Sequence, residues 1–335
     1  GCWPLLWSIS PHLPYMAPKM LQWYYNEALK TGNDFFVLPP SGHTYSYPSE
    51  QSEPDLSNYV KLTEEDAKVI GTTGTVAWEW YDSWQTAMTN YFPKYSANNV
   101  VTAGYAVNVP YLMDTFVSWK YNNFNVFGGK FVLFRPHEWR GTTGSSVPGI
   151  HDTMLSVADM ASQINNYPKG TVTHIYLTSD GGGKLQDLYD LVAAFDSHVE
   201  VVSHNVLTSM ALAVDNYGYK GSDLQLGGRL EAGEHLRSAS GDITFDMQSD
   251  GNLVLYNYGD IKWQTYTEGK TGAYVVFQTD YNFVLYDASG SPLWSSGIHS
   301  GAAKVSLQDD GNLVVYSSAG KALWATGTTL DAIVV

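Results

Sequence analysis

The chain has a single cysteine, Cys2, so no disulfide can form within it. Charge is scarce as well: 15% of the 335 residues are Asp, Glu, Lys or Arg, against about 25% in an average soluble domain. Cations are the scarcer sign, 18 Lys and Arg against 33 Asp and Glu, which gives a net charge of −15. A surface of that sign repels phosphate backbones and anionic bilayers, which argues against nucleic acid as a partner. No apolar run approaches the ~20 residues of a membrane span. No leader precedes Gly1 and no Asn-x-Ser/Thr sequon is present, so a processed, soluble chain without N-glycans is expected. The nine His are scattered and no calcium-loop carboxylates cluster, so no metal and no cofactor are expected. Aromatic residues, in contrast, are abundant, with 24 Tyr and 11 Trp. Flat rings beside neutral hydrogen-bonding groups suit sugars, although the plainer account is that rings fill a core.

The last third repeats itself. Gln248-Ser-Asp-Gly-Asn-Leu-Val-Leu-Tyr256, Gln278-Thr-Asp-Tyr-Asn-Phe-Val-Leu-Tyr286 and Gln308-Asp-Asp-Gly-Asn-Leu-Val-Val-Tyr316 start 30 residues apart, and each is followed by a Trp, at 263, 294 and 324. Turn residues separate the apolar runs, which predicts a threefold all-β unit. Side chains alternate along a strand, so Gln248, Asp250, Asn252, Val254 and Tyr256 share one face while Leu253 and Leu255 take the other. The first face offers a carboxylate, two amides and a phenol around one aliphatic residue, a set able to bind adjacent hydroxyls while Val touches ring carbons.

These residues resemble the bulb-type, monocot mannose-binding lectins, whose signature is Q-x-D-x-N-x-V-x-Y. The resemblance covers about 222–328 and implies a β-prism II fold with the three Trp packed near its axis. It also implies mannose binding by Gln248, Asp250, Asn252, Val254 and Tyr256, by Gln278, Asp280, Asn282, Val284 and Tyr286, and by Gln308, Asp310, Asn312, Val314 and Tyr316. Tyr281 and Phe283 replace the Gly and Leu of the other copies, so a shifted turn would affect the middle site first. Asp309 adds a carboxylate beside the third.

Before this unit, short apolar runs alternate with helical patterns. Strands are predicted at 5–9, 35–38, 100–107, 130–134, 172–177 and 199–202, and helices on the faces Leu185, Leu188, Leu191, Val192, Phe195 and Leu155, Ala158, Ala161, Ile164. Thr63-Glu-Glu-Asp66 reads as a helix start. The alternation predicts an α/β domain with a parallel sheet, open or forming part of a β/α barrel. A boundary is placed in the aperiodic stretch Asp215–Ser222, giving a multidomain chain of 1–216 and 217–335.

Within the first domain, Phe35-Phe-Val-Leu-Pro-Pro-Ser-Gly-His-Thr-Tyr-Ser-Tyr-Pro48 resembles the signature of the GxGYxYP putative glycoside hydrolase family. Thr44 stands where the second Gly belongs, a substitution that a positive φ would not tolerate. Catalytic groups of such a fold gather at the C-terminal ends of strands, where His12, Ser41 to His43, Asn108, His137, Glu138, Asp180 and His204 are expected. Glu138 and Asp180 form the candidate acid and base pair for a glycosidic bond. Glu79, between Trp78 and Trp80, is a third candidate. His137-Glu-Trp-Arg-Gly141 lacks the second His of a zincin, and Ser179-Asp-Gly-Gly-Gly-Lys184 lacks the Walker spacing.

The function expected is a mannose-type lectin joined to a glycosidase-like domain. The rivals are an active glycoside hydrolase that uses the lectin for targeting, and a structural protein that cross-links glycans in a coat. Mannose-rich glycans are extracellular, so a secreted or cell-surface location is expected. The apolar tail 330–335 predicts a homo-oligomer through strand exchange, or docking on the first domain. The run Leu5 to Ile9 reads as a doubly buried strand at the chain's start, which predicts a second polypeptide completing the first domain.

Overall fold

The computed structural model describes residues 3–80, 82–107, 123–139, 152–153, 155–168, 170–177, 183–241, 243–257 and 260–329. The chain divides into two units, Gly1–Leu212 and Ala213–Val335. Cys2 and the tail 330–335 lie outside the described residues.

The first unit is a mixed α/β fold on a parallel sheet. Strands β1 (Leu5–Ser8) and β2 (Asp34–Val37) pair in parallel. Beyond β2, Leu38 bridges Thr75 of β3 (Gly74–Ala77), which runs parallel to β4 (Ala103–Ala106). Then β5 (Phe124–Phe127) and β6 (Phe131–Phe134) form a hairpin whose second strand is parallel to β4. The chain continues into β7 (Pro136–Trp139), which lies between β8 (Asp152–Thr153) and β9 (His174–Leu177) in a second parallel sheet.

Glycine punctuates the helices where a left-handed residue is required: Pro18–Thr31 ends at Gly32 (φ 65°) and Asp55–Ile70 at Gly71 (φ 75°). Helix Val157–Asn165 begins at Ser156, whose side chain accepts from Asp159 N–H. The core is aromatic: Trp84, Tyr91, Phe92, Tyr95 and Phe131 are nearly inaccessible, and the Phe92 and Tyr95 rings stack on Phe131.

Three expectations change here, and one strand goes unforeseen. Residues 199–202 belong to no strand, and among the described residues β9 pairs with β7 alone. Thr63–Asp66 starts no helix but lies within Asp55–Ile70, where the Thr63 hydroxyl donates to Tyr59 O (2.9 Å) one turn back. Among the described residues strand β1 pairs with β2 alone; its Leu5 and Leu6 are half-buried and Trp7 is 43% exposed, so its side chains are not buried on both faces as expected. Strand β3 is masked in sequence by the glycines around it. Gly74 is required by contact, since a Cβ there would lie 2.6 Å from Val37 Cγ1.

The second unit is all-β. Strands β10 (Asp223–Gln225), β11 (Arg229–Leu230) and β12 (His235–Arg237) precede the repeats. The repeats supply β13 (Ile243–Met247), β14 (Leu253–Asn257) and β15 (Asp260–Gln264); β16 (Tyr274–Phe277), β17 (Phe283–Tyr286) and β18 (Pro292–Ser295); and β19 (Ala302–Leu307), β20 (Leu313–Ser317) and β21 (Ala322–Ala325). Each triplet makes an antiparallel sheet completed by one leading strand: β12 joins the first, β11 the second and β10 the third. Leu253, Leu255, Phe283, Leu285, Leu313 and Val315 meet in one core. Against it the three Trp pack edge to face, with ring centroids 5.2 Å (263–294), 5.5 Å (294–324) and 6.2 Å (263–324) apart.

Candidate functional site

In the first unit the chain beyond β2 folds into a loop at the C-terminal ends of β1, β2 and β3, the side on which parallel sheets carry their sites. Ser41, fully buried, donates its hydroxyl to Ser46 O (2.9 Å) and Trp78 O (2.5 Å). Tyr91 donates to Ser41 O (3.2 Å) and Tyr59 to Thr44 O (2.5 Å), so buried phenols hold the loop from below. Gly42 has φ 127° and lies against the helix Asp55–Ile70, where a Cβ would meet Thr63 Cγ2 at 2.5 Å. Thr44 has no positive φ, so the motif's second glycine answers no backbone demand in this chain, contrary to the sequence expectation.

The loop ends by capturing Glu79. Ser49 N–H and its hydroxyl donate to the carboxylate (3.3 and 2.5 Å), Ser83 Oγ lies 3.4 Å away, and the residue is 2% exposed. Burial outweighs these hydrogen bonds and pushes the carboxyl up to about 7, so near neutrality it is partly protonated and can donate a proton. Its chain neighbours Trp78 and Trp80 form a ring cluster with Tyr45 and Tyr47, centroids 5.2–5.9 Å apart, in which Tyr45 and Trp80 are 63% and 52% exposed. Beside it His43 Nδ1 lies 2.6 Å from Asp66 Oδ2, and the His12 ring lies edge-on 5.8 Å from that of His43. The loop thus assembles a buried acid, a histidine oriented by a carboxylate, and an exposed aromatic surface.

Other expected residues lie elsewhere. Asn108 and Asp180 lie outside the described residues, as does the side chain of Glu138, whose backbone on β7 pairs with Asp152 and Tyr176. His137 Nε2 is bonded to the Tyr167 hydroxyl (2.6 Å). His204 does not stand at a C-terminal strand end: it opens the helix His204–Tyr217 against Phe35 and near Gly74, where β2 and β3 begin. The missing strand at 199–202 explains that error, and burial lowers the His204 ring to about 4, which keeps it neutral. Glu79, an acid between two tryptophans and no stronger in sequence than the other two carboxylates, is the one of the three whose side chain lies among the described residues, buried and bonded to Ser49.

In the second unit the three signatures fold alike. Gln248, Gln278 and Gln308 donate to the hydroxyls of Tyr256, Tyr286 and Tyr316 (2.6, 2.6 and 2.9 Å). Asp250, Asp280 and Asp310, all exposed, accept from the backbone N–H of Asn252, Asn282 and Asn312 (2.9, 3.0 and 3.0 Å). Val254, Val284 and Val314 lie at most 4% exposed between them. Tyr281 does not shift the middle turn. It takes φ 77° where Gly251 and Gly311 take 97° and 90°, and all three turns close with the same N–H to Gln carbonyl bond of 3.0–3.1 Å. Asp309 accepts from Ser240 N–H (2.7 Å) and so is a structural contact.

Among known proteins, the B-type lectin plumieribetin of Scorpaena plumieri is 46% identical over 72 residues, 22% of this chain and 63% of that protein, so this chain spans under two thirds of that relative's length. The mannose-specific agglutinin of snowdrop (Galanthus nivalis) bulbs, solved with methyl-alpha-D-mannoside, is 37% identical and covers 33% of this chain and 99% of its own, with a TM-score of 0.27. A putative hydrolase from Bacteroides thetaiotaomicron covers 63% of this chain and 39% of its own at 22% identity and a TM-score of 0.50, a likeness of fold alone. Residues 1–211 match the family described as GxGYxYP putative glycoside hydrolase C-terminal domain. That match spans the motif loop, the buried Glu79 and the parallel sheet beneath them, and the chain therefore belongs to the GxGYxYP putative glycoside hydrolase C-terminal domain family.

Proposed function

We propose that the chain is a carbohydrate-binding protein, a mannose-type lectin unit of β-prism II fold joined to a glycosidase-like α/β unit. The observation that carries this reading is the recurrence, in each repeat, of an exposed Asp, a Gln–Tyr pair and an Asn around a Val, at matching distances. Such a face accepts and donates to neighbouring hydroxyls of a pyranose, and the valine meets its C–H side. The likeness to plumieribetin supports the lectin reading. Each face buries little of a sugar, so single sites bind weakly, and no step needs calcium. Because mannose-rich glycans are extracellular, a secreted or cell-surface location is part of the same proposal. That β1 has, among the described residues, β2 as its one strand partner supports a further proposal, that a second polypeptide completes the first unit. Titration of the full chain with methyl α-mannoside, with and without EDTA, is expected to give saturable binding in both cases. Absence of saturation, or binding that EDTA abolishes, overturns the reading.

A second reading, an active glycoside hydrolase targeted by the lectin unit, is favoured by Glu79, a partly protonated acid beneath exposed aromatic rings. It requires glycosidase activity that Glu79→Gln abolishes while mannoside binding persists.

A further inference from the structure

We propose that the first of the three sugar-binding faces is closed by its own chain, so that the protein presents two open mannose-type sites, at Asn282 and Asn312. This rests on the carbohydrate-binding reading above. The repeats serve as internal controls. Opposite Val284 and Val314 in their ladders stand Ser295 and Ala325; opposite Val254 stands the longer Gln264. The Asn252 side-chain amide donates to Gln264 Oε1 (2.8 Å) and to Glu268 Oε1 (3.0 Å), while its oxygen accepts from Thr265 Oγ1 (3.1 Å) and Thr267 N–H (3.3 Å). A carboxylate can only accept and a backbone N–H can only donate, so the orientation of this amide is fixed and both of its protons are consumed. Asn282 and Asn312 use only their oxygens, to Ser296 Oγ and Gly297 N–H (3.2 and 3.0 Å) and to Thr326 Oγ1 and Gly327 N–H (2.9 and 3.0 Å). Among the described residues their amide protons meet no acceptor, and a sugar hydroxyl can take them.

Access follows the same division. Asn252 is 3% exposed and Tyr256 5%, whereas Asn282, Asn312, Tyr286 and Tyr316 are half-buried. The segment carrying Glu268 also presses on the turn, since a Cβ at Gly251 would lie 2.3 Å from Lys270 O. The second repeat admits Tyr281 at that position. A hydroxyl entering the first face must displace a charge-assisted hydrogen bond, which raises the cost of binding at that face alone. Gln264 and Glu268 therefore set the valency of the protein, and valency governs avidity for multivalent glycans.

The test uses the full chain and the side-chain amide resonances of the three asparagines. In a methyl α-mannoside titration, those of Asn282 and Asn312 are expected to shift saturably and that of Asn252 to stay in place; in Q264S/E268A, Asn252 is expected to join them. A saturable shift of Asn252 in the native chain, or none in Q264S/E268A while the other two respond, overturns the proposal. A sugar-free readout keeps it testable should no site bind mannoside, a result that would overturn the carbohydrate reading instead. Side-chain amide exchange at Asn252 should be about five- to tenfold slower than at Asn282 and Asn312, and Q264S/E268A should abolish the difference. Equal exchange in the native chain overturns the closure.

Discussion

Glu79→Gln should flatten the pH dependence of the first unit's stability. The carboxyl sits at about 7 in the folded state and at 4.5 ordinarily, so between these values the native state holds a proton that the unfolded chain has released. Stability then falls as pH rises through this window, and the loss is complete above about 7. At 1.36 kcal/mol for each factor of ten in acidity, the ionised buried carboxylate costs about 3 kcal/mol. With its oxygen at the Oε2 position, the amide introduced by Glu79→Gln keeps the acceptor for the Ser49 hydroxyl (2.5 Å) and for Ser49 N–H (3.4 Å), so the variant loses the charge and the Oε1 acceptor while the shorter bond stays. For a unit of this size that cost corresponds to roughly 6–12 °C in melting temperature. Thermal melts of the full chain from about pH 5 to about pH 8, resolving the two units, should show the native first unit dropping by this amount relative to Glu79→Gln. Parallel curves for the two proteins would refute the reasoning, because they would mean that Glu79 ionises at its ordinary pH.

Two further perturbations test the frames of the two sites. Gly42→Ala places a methyl on Thr63 at an unfavourable φ and should cost about 2–4 kcal/mol in the first unit's denaturant midpoint; a change below about 0.5 kcal/mol would show that the motif glycine is dispensable. Trp294→Ala removes the ring that touches both other tryptophans and should cost the second unit about 3–5 kcal/mol, with the first unit's transition unmoved; a loss under about 1 kcal/mol would contradict a shared core.

The repeats were legible because three copies constrain one another: alternation separated Asp250, Asn252 and Tyr256 from Leu253 and Leu255, and the fold keeps that separation. What remained hidden in this unit lies outside the signature, where Gln264 and Glu268 reach Asn252 from the following strand and turn. In the first unit, periodicity located helices Leu185–Ala193 and Val157–Asn165. It missed β3, because Gly74 is dictated by contact with Val37 and not by strand propensity. It also invented a strand at 199–202, which placed His204 at the wrong end of the sheet. Glu79 could not be ranked from sequence, since its acidity is set by burial and by Ser49, thirty residues away. Thr44 raised a false alarm because a motif letter was taken for a φ requirement.

The central claim, that the repeated polar faces bind sugar, is tested most directly by replacing Asp250, Asp280 and Asp310 together with Ala and measuring mannoside affinity alongside circular dichroism. These carboxylates are exposed, and each accepts one local backbone bond, so the fold should survive. Losing a charge-assisted hydrogen bond at each open face should weaken binding roughly ten- to hundredfold, beyond detection for a weak ligand. Unchanged affinity in a folded triple variant would contradict the account, and so would an unfolded variant, which would make the aspartates structural.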